Sequence, residues 1–225
     1  FDIGDEELIN EIFEKSLKLN ENISRRPTIN VGGIAVFKGF LPIKDQTKIV
    51  EDLRHVVEKA PTFSPKTKFG KKMSVKLTAA GEFGWFSDHL GYRYEKRHPS
   101  GVSWPEIPFS ILSIWRYLAA EAPPPQCCLV NYYEKDARMG MHQDRDEASF
   151  DWPVVSISLG DDALLRVGGP TKGGRTSSIW LQSGDVAVMG GDARLNFHGI
   201  DRIKFKSSNL LKNGGRLNVT LRVVT

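Results

Sequence analysis

From residue 126 to its end the chain is written as short apolar runs separated by glycine-rich turns, a pattern that leaves little choice of architecture. The runs cover 127–133, 154–159, 163–167, 178–181, 186–189, 195–197 and 217–224. Gly-Asp, Gly-Gly and Asn-Gly-Gly turns divide them. Apolar runs this short and this often interrupted suit strands rather than helices. A succession of them predicts an all-β barrel or a double-sheet jelly roll.

The first half reads differently. Residues 5–20 place Leu8, Ile9, Ile12, Phe13, Leu17 and Leu19 at a mostly helical spacing. Residues 32–41 read as a strand and turn. Pro42 then precedes a second helix over about 44–59, with Ile49, Val50, Leu53, Val56 and Val57 on its inner side. Residues 61–105 hold many Gly, Pro, Lys and aromatic residues and no sustained period. An irregular stretch of that length inside a compact domain suits a lid or binding loop. A third helix is predicted over 107–121, ending before Pro123-Pro124-Pro125. The expected fold class is α+β, mainly β: a double-stranded β-helix, or jelly-roll, core with N-terminal helices packed on one sheet. No linker divides the chain, so residues 1–225 are expected to form one domain. Its parts would be a helical support over 1–60, a lid over 61–105 and the jelly-roll core over 126–225.

Composition excludes several classes. In 225 residues the hydrophobic share is 40% and the charged share 26%, as in ordinary globular proteins. No apolar run approaches the roughly 18 residues that span a bilayer, so no membrane partner is expected. Phe1-Asp2-Ile3 leads into acidic residues and does not read as a secretory signal. Position 1 is not Met, so the native start is expected to lie upstream. Cys127 and Cys128 are adjacent and poorly placed to bridge one another. They read as buried strand residues, and a cytoplasmic location is expected. The net charge of +4 permits a polyanionic partner without requiring one. Three local basic clusters are more suggestive: Lys66, Lys68, Lys71, Lys72 and Lys76; Arg93, Lys96, Arg97 and His98; Lys204, Lys206 and Lys212.

Within this frame lies His142-Gln143-Asp144, with a second histidine at His198. Two histidines and one carboxylate form the facial set that binds non-haem Fe(II) and leaves positions open for other ligands. On a strand, side chains two apart share a face, so His142 and Asp144 can meet one ion while Gln143 points away. The strand near the C-terminus adds a second signal. Arg216, Asn218, Thr220 and Arg222 alternate with apolar Leu217, Val219 and Leu221. Two arginines facing into a barrel call for anionic partners, and a dicarboxylate would satisfy both.

These residues together resemble one family. Asn131-Tyr132-Tyr133, His142-Gln143-Asp144-Arg145-Asp146-Glu147, Ser156-Ile157-Ser158-Leu159-Gly160 and Gly184-Asp185-Val186 are similar to the AlkB family of 2-oxoglutarate/Fe(II) dioxygenases. So are Arg194-Leu195-Asn196-Phe197-His198-Gly199-Ile200 and the Arg-x-Asn-x-Thr-x-Arg strand at 216–222. The resemblance runs from about residue 73 to the end. It implies Fe(II), 2-oxoglutarate as cosubstrate and O2, and oxidative removal of alkyl groups from bases such as 1-methyladenine and 3-methylcytosine. The implied partner is alkylated DNA, single- or double-stranded, with RNA as a further candidate, and the implied state is a monomer.

By the same resemblance His142, Asp144 and His198 bind the metal. Arg216 and Tyr133 hold the distal carboxylate of 2-oxoglutarate, Arg222 and Asn131 the carboxylate near the metal, and Asn218 lines the same site. The lid becomes a nucleotide-recognition lid. In it Met73 and Tyr92 contact the substrate, and Trp85 stacks on the extruded base opposite His198. Leu129, Arg145 and Asp146 complete the substrate side, with Asp146 at the exocyclic nitrogen. Lys172 stands where the bacterial enzymes carry a substrate-side arginine, keeping charge but losing the planar fork. Two other readings stay open on the residues: the same chemistry on a protein or small molecule, and a non-catalytic nucleic-acid-binding relative.

Overall fold

The computed structural model describes Glu11 and residues 29–225; the helix expected over 5–20 lies outside them except for Glu11, which is helical. Two antiparallel sheets face one another. Strands β1 (Ile29–Val31), β2 (Ile34–Phe37), β3 (Val75–Gly81), β6 (Cys127–Tyr133), β8 (Val154–Gly160), β11 (Val186–Met189) and β13 (Arg216–Arg222) form a seven-stranded sheet in the order β1-β2-β11-β8-β13-β6-β3. Strands β7 (Met139–His142), β9 (Asp162–Val167), β10 (Ser177–Leu181) and β12 (His198–Lys204) form a four-stranded sheet in the order β10-β9-β12-β7. A separate hairpin pairs β4 (Gly84–Asp88) with β5 (Gly91–Glu95). This is the expected jelly roll.

Helices α1 (Ile43–Lys59) and α2 (Phe109–Leu118) cover the outer face of the large sheet. Each starts directly after a proline, Pro42 or Pro108, whose carbonyl accepts from amides of the first turn. Proline disfavours helical geometry in the residue before it, so α2 begins at Phe109 and not at 107. Ile49, Val50, Leu53 and Val56 of α1 and Ile111, Ile114 and Trp115 of α2 pack on Val130, Val155, Ile157, Val219 and Leu221 of the sheet. Truncating Leu53 to alanine there costs about 2–5 kcal/mol.

Three expectations shift. The apolar run 195–197 is not a strand; it follows a single 3-10 turn, Gly191–Ala193, and the strand starts at His198. Phe197 instead ties to the neighbouring loop, its amide donating to the Gly169 carbonyl at 2.9 Å. The 61–105 stretch is not irregular throughout. It supplies β3, an edge strand of the large sheet, and the β4–β5 hairpin. Val75–Gly81 has buried positions on both faces, so it carries no alternation to read. Finally, Gly32 and Gly33, both at positive φ, turn β1 into β2, and the three-residue β1 is too short to show as a period.

Candidate metal centre and its cavity

The two faces of β13 divide the labour of the fold. Val219 and Leu221 enter the helix-covered core, while Arg216, Asn218, Thr220 and Arg222 line a cavity of about 580 Å³ between the sheets. Register sets their neighbours on β6: Arg216 opposite Tyr133, Asn218 opposite Asn131, Thr220 opposite Leu129. Met73, Trp85, Tyr92, Arg145 and Asp146 line the same cavity, as do His142, Asp144 and His198. All four methionines of the chain, Met73, Met139, Met141 and Met189, are in its wall. Lys172 is not; it sits in an exposed turn beyond the wall.

His142 ends β7 and His198 opens β12, and the two are paired across the ladder with ring centroids 4.6 Å apart. The backbones approach closely beside them. A Cβ on Gly199 would lie 2.7 Å from the Met139 carbonyl oxygen, so only glycine fits. Each histidine directs Nδ1 at a backbone carbonyl, His142 to Gly140 at 2.8 Å and His198 to Asn196 at 3.0 Å. Carbonyls only accept, so each Nδ1 carries the proton and each Nε2 keeps a lone pair for an ion. Both Nε2 atoms lie 3.7 Å from oxygens of Asp144. The three ligand atoms lie within 4.8 Å of one another, and this is the group among the described residues able to hold a metal.

Asp144 reaches the site by a route the strand argument does not give. β7 stops at His142, and Asp144 stands in the irregular segment that follows. Two contacts hold that segment to the one carrying His198. The Gln143 side-chain amide donates to the Leu195 carbonyl at 2.7 Å. Arg194, itself buried, donates to the Asp144 carbonyl at 2.6 Å and to the Trp152 carbonyl at 2.9 Å, and pairs with Glu147 at 3.3 Å.

Glu147 is the hub of a second, buried network. It accepts from Tyr94 of β5 at 2.7 Å and from Arg222 at 3.0 Å, while Arg222 also pairs with Asp144 at 3.3 Å. Burial alone would raise the Asp144 carboxyl, but Arg222, with both histidines and Arg194, outweighs it and holds the group well below the usual carboxylate range. Burial pulls His198 below its ordinary value against the pull of Asp144, which favours the neutral, ligating ring.

Arg216 is in the opposite condition. It is 1% exposed, it lies 5.2 Å over the Tyr133 ring, and Ser158 takes one of its hydrogens at 3.0 Å. Its Nε and Nη1 have no partner, and no carboxylate among the described residues pairs with it. A buried guanidinium with free donors fits an incoming carboxylate. The donor set therefore suits a divalent ion at one end and an anion at the other.

At the mouth, Trp85 and Tyr92 stack on each other, 5.5 Å apart at 19°, and Trp85 Nε1 donates to Asp146 at 2.8 Å. The expected partner of Trp85 is a base; in this state Tyr92 occupies that face. The basic cluster at 93–98 dissolves on folding, since Arg93 pairs with Asp88 and Glu95 while His98 is buried between Ser100 and the Pro61 carbonyl. Sequence reading assigned no role to Arg194, Glu147, Tyr94 or Ser158. Arg194 and Glu147 stand in the two runs that carry the metal ligands, which was the available signal.

Known proteins resemble this chain in sequence and in fold. The profile of the 2OG-Fe(II) oxygenase superfamily matches residues 33–222. A relative from Caulobacter vibrioides, named Alpha-ketoglutarate-dependent dioxygenase AlkB homolog, is 49% identical over 198 residues, covering 88% of this chain and 90% of its own. The Alpha-ketoglutarate-dependent dioxygenase AlkB of Salmonella typhimurium is 37% identical over 69% of this chain and 74% of its own. The solved structure of OsALKBH1 superposes with a TM-score of 0.72 at 31% identity, covering 87% of this chain and 98% of that one.

Proposed function

The chain belongs to the 2OG-Fe(II) oxygenase superfamily and within it to the AlkB dioxygenases, and on that premise we propose that it dealkylates N-alkylated bases of DNA, such as 1-methyladenine and 3-methylcytosine. As a member it is a 2-oxoglutarate-dependent dioxygenase using Fe(II) and O2. The observation that carries the substrate reading is the shared cavity: the metal triad lines it together with the stacked rings of Trp85 and Tyr92 and with Asp146, which accepts from Trp85 Nε1. Residues 1–225 then act as one catalytic domain, with 61–105 as its nucleotide-recognition lid.

In this reading His142, Asp144 and His198 hold Fe(II), with Nε2 of each ring as donor. Arg216 and Tyr133 take the distal carboxylate of 2-oxoglutarate, Arg222 and Asn131 the nearer one, and Asn218 the wall between. The bound ion, with O2 and 2-oxoglutarate, supplies the oxidation, giving succinate and CO2. The N-methyl group of the base becomes hydroxymethyl and departs as formaldehyde, and the ring nitrogen is restored. An enzyme acting on a base must take it out of the stack, and aromatic faces offset that loss. Trp85 offers such a face once Tyr92 moves aside. Asp146, anchored by Trp85 Nε1, presents carboxylate oxygen to an exocyclic amino group, and Met73, Leu129 and Arg145 complete the wall. Lys172, outside the cavity wall, would meet the substrate beyond the base.

The test is turnover of a methylated single-stranded oligonucleotide with Fe(II) and 2-oxoglutarate, with duplex and RNA versions in parallel. Formaldehyde and succinate should appear one to one as the methyl mass is lost. Metal-loaded protein that leaves every such lesion intact overturns the substrate assignment. Asp144→Ala should abolish turnover while leaving oligonucleotide binding nearly unchanged; unchanged turnover would refute the metal assignment.

A further inference from the structure

Gln143 stands between His142 and Asp144, and its side chain is bonded to backbone on two sides. Its Nε2 donates to the Leu195 carbonyl at 2.7 Å and to the Pro170 carbonyl at 3.1 Å. Both acceptors are carbonyls, so the nitrogen faces them and both of its hydrogens are used. Three segments therefore meet at one atom. They are the run of His142 and Asp144, the run that leads into His198, and the loop that joins β9 to β10.

That loop begins as a ladder beside Phe197. The Gly168 amide donates to the Phe197 carbonyl at 2.7 Å, and the Phe197 amide donates to the Gly169 carbonyl at 2.9 Å. Pro170 comes next and has no N–H, so the ladder stops and only its carbonyl is left to bond. Gln143 takes that carbonyl. Beyond it, residues 171–176 are exposed, and no hydrogen bond reaches them among the described residues. A Cβ added at Gly173 or Gly174 would meet nothing within 4 Å. Lys172 and Arg175 stand on this stretch, neither paired with an acid among the described residues. The bond from Gln143 is the last tie before the chain leaves the body of the protein.

We propose that Gln143 is a positioning residue that joins the metal site and this loop into one cooperative unit: filling the site settles residues 171–176, and the settled loop in turn holds the site. The inference rests on the metal assignment above and not on the substrate. The three ligand atoms, within 4.8 Å of one another, belong to two of the three clasped segments. Coordination fixes those two segments against each other, because metal binding and local folding are one free energy. With both fixed, the Gln143 amide is held between them, and its second hydrogen meets Pro170 without further loss of side-chain freedom. Such a coupling is reciprocal, so an ordered loop strengthens metal binding by the same factor.

Limited trypsin digestion reads the loop at Lys172 and Arg175. Co(II) serves as the metal, with its visible absorption reporting occupancy separately. Saturating Co(II) should slow cleavage at both sites in the parent protein about fivefold or more, and amide hydrogen exchange over 171–176 should slow with it. Gln143→Met keeps the length of the side chain and offers no hydrogen. It should still fill with Co(II) at higher concentration, and its loop should be cut equally fast with and without metal. A merely structural role would change both rates alike and leave their ratio intact. Equal cleavage and exchange of the parent with and without bound Co(II) would overturn the proposal while the metal assignment stands. Protection that survives in Gln143→Met would also overturn it. Co(II) absorption unchanged in Asp144→Ala would remove the metal assignment itself, and the coupling with it.

Discussion

The two ends of β13 face the same cavity and both carry buried arginines, yet their electrostatics are opposite. Around Arg222 the protein supplies its own counter-charges, Glu147 and Asp144, and adds Tyr94 and Thr220 as partners. Around Arg216 it supplies a hydroxyl and an aromatic face and leaves two nitrogens without acceptors. One end is neutralised by the protein's own carboxylates and keeps a single free nitrogen, Arg222 Nε; the other has no counter-charge among the described residues and is left for an anionic ligand. Two arginines six residues apart on one strand can therefore do different work, and the distinction lies in what surrounds them.

That contrast can be broken most forcefully at the neutralised end. Arg222→Met should take from Asp144 its arginine ion pair and leave Glu147 with Arg194 alone, destabilising the protein by about 3–5 kcal/mol in urea unfolding. Arg216→Met should behave in the reverse sense. Removal of an unpaired buried charge should raise the melting temperature of the ligand-free protein. The same change should raise KM for 2-oxoglutarate roughly 100-fold, since the incoming carboxylate loses its partner. If both variants unfold alike, the two ends are equivalent and the contrast is wrong.

A smaller effect sharpens the picture of how the neutralised end serves the metal. Arg194→Lys keeps the charge but cannot hold the Asp144 and Trp152 carbonyls together with Glu147. Metal affinity, read by titration with Co(II), should fall about 10–100-fold. Acid titration tests the same network more gently. Asp144 and Glu147 both have folded values below their ordinary 3.8 and 4.5. For Glu147 burial opposes the shift, and Arg222, Tyr94 and Arg194 outweigh it. Carboxylates depressed on folding contribute stability that is present above those ordinary values and is lost as pH falls below them. Glu147→Gln should flatten the loss of stability of metal-free protein below pH 4.5, measured as urea midpoints. The smallest expected effect is none at all. Burial pushes the Cys127 thiol up to about 12 and Cys128 well above its ordinary value, so neither should react with a thiol reagent at about pH 8 until the protein unfolds.

Much of this was legible in the residues. β6, β8, β9, β10, β11 and β13 follow from apolar runs cut by glycine turns, and α1 from its inner stripe. The ligand trio is visible because the chemistry of Fe(II) prescribes its residue types. What failed to show had physical causes. β3 is buried on both faces and so has no period. β12 begins with its ligand and continues through Asp201, Arg202 and Lys204, so its exposed half hides it. Asp144 is held by Arg194 across the fold, and a strand's alternation cannot report a contact made fifty positions away. Arg216 and Arg222 look identical in sequence because the difference between them is made by Glu147, which reaches Arg222 only after folding.

The methionine wall makes the chamber open to direct observation. Because Met73, Met139, Met141 and Met189 are all the methionines of these 225 residues and all border the cavity, isotope placed on methionine methyl carbons would light up the active chamber and nothing else. Thioether side chains adapt readily to what they touch, so four resonances would report, separately, the arrival of metal, cosubstrate and nucleic acid in a protein otherwise silent.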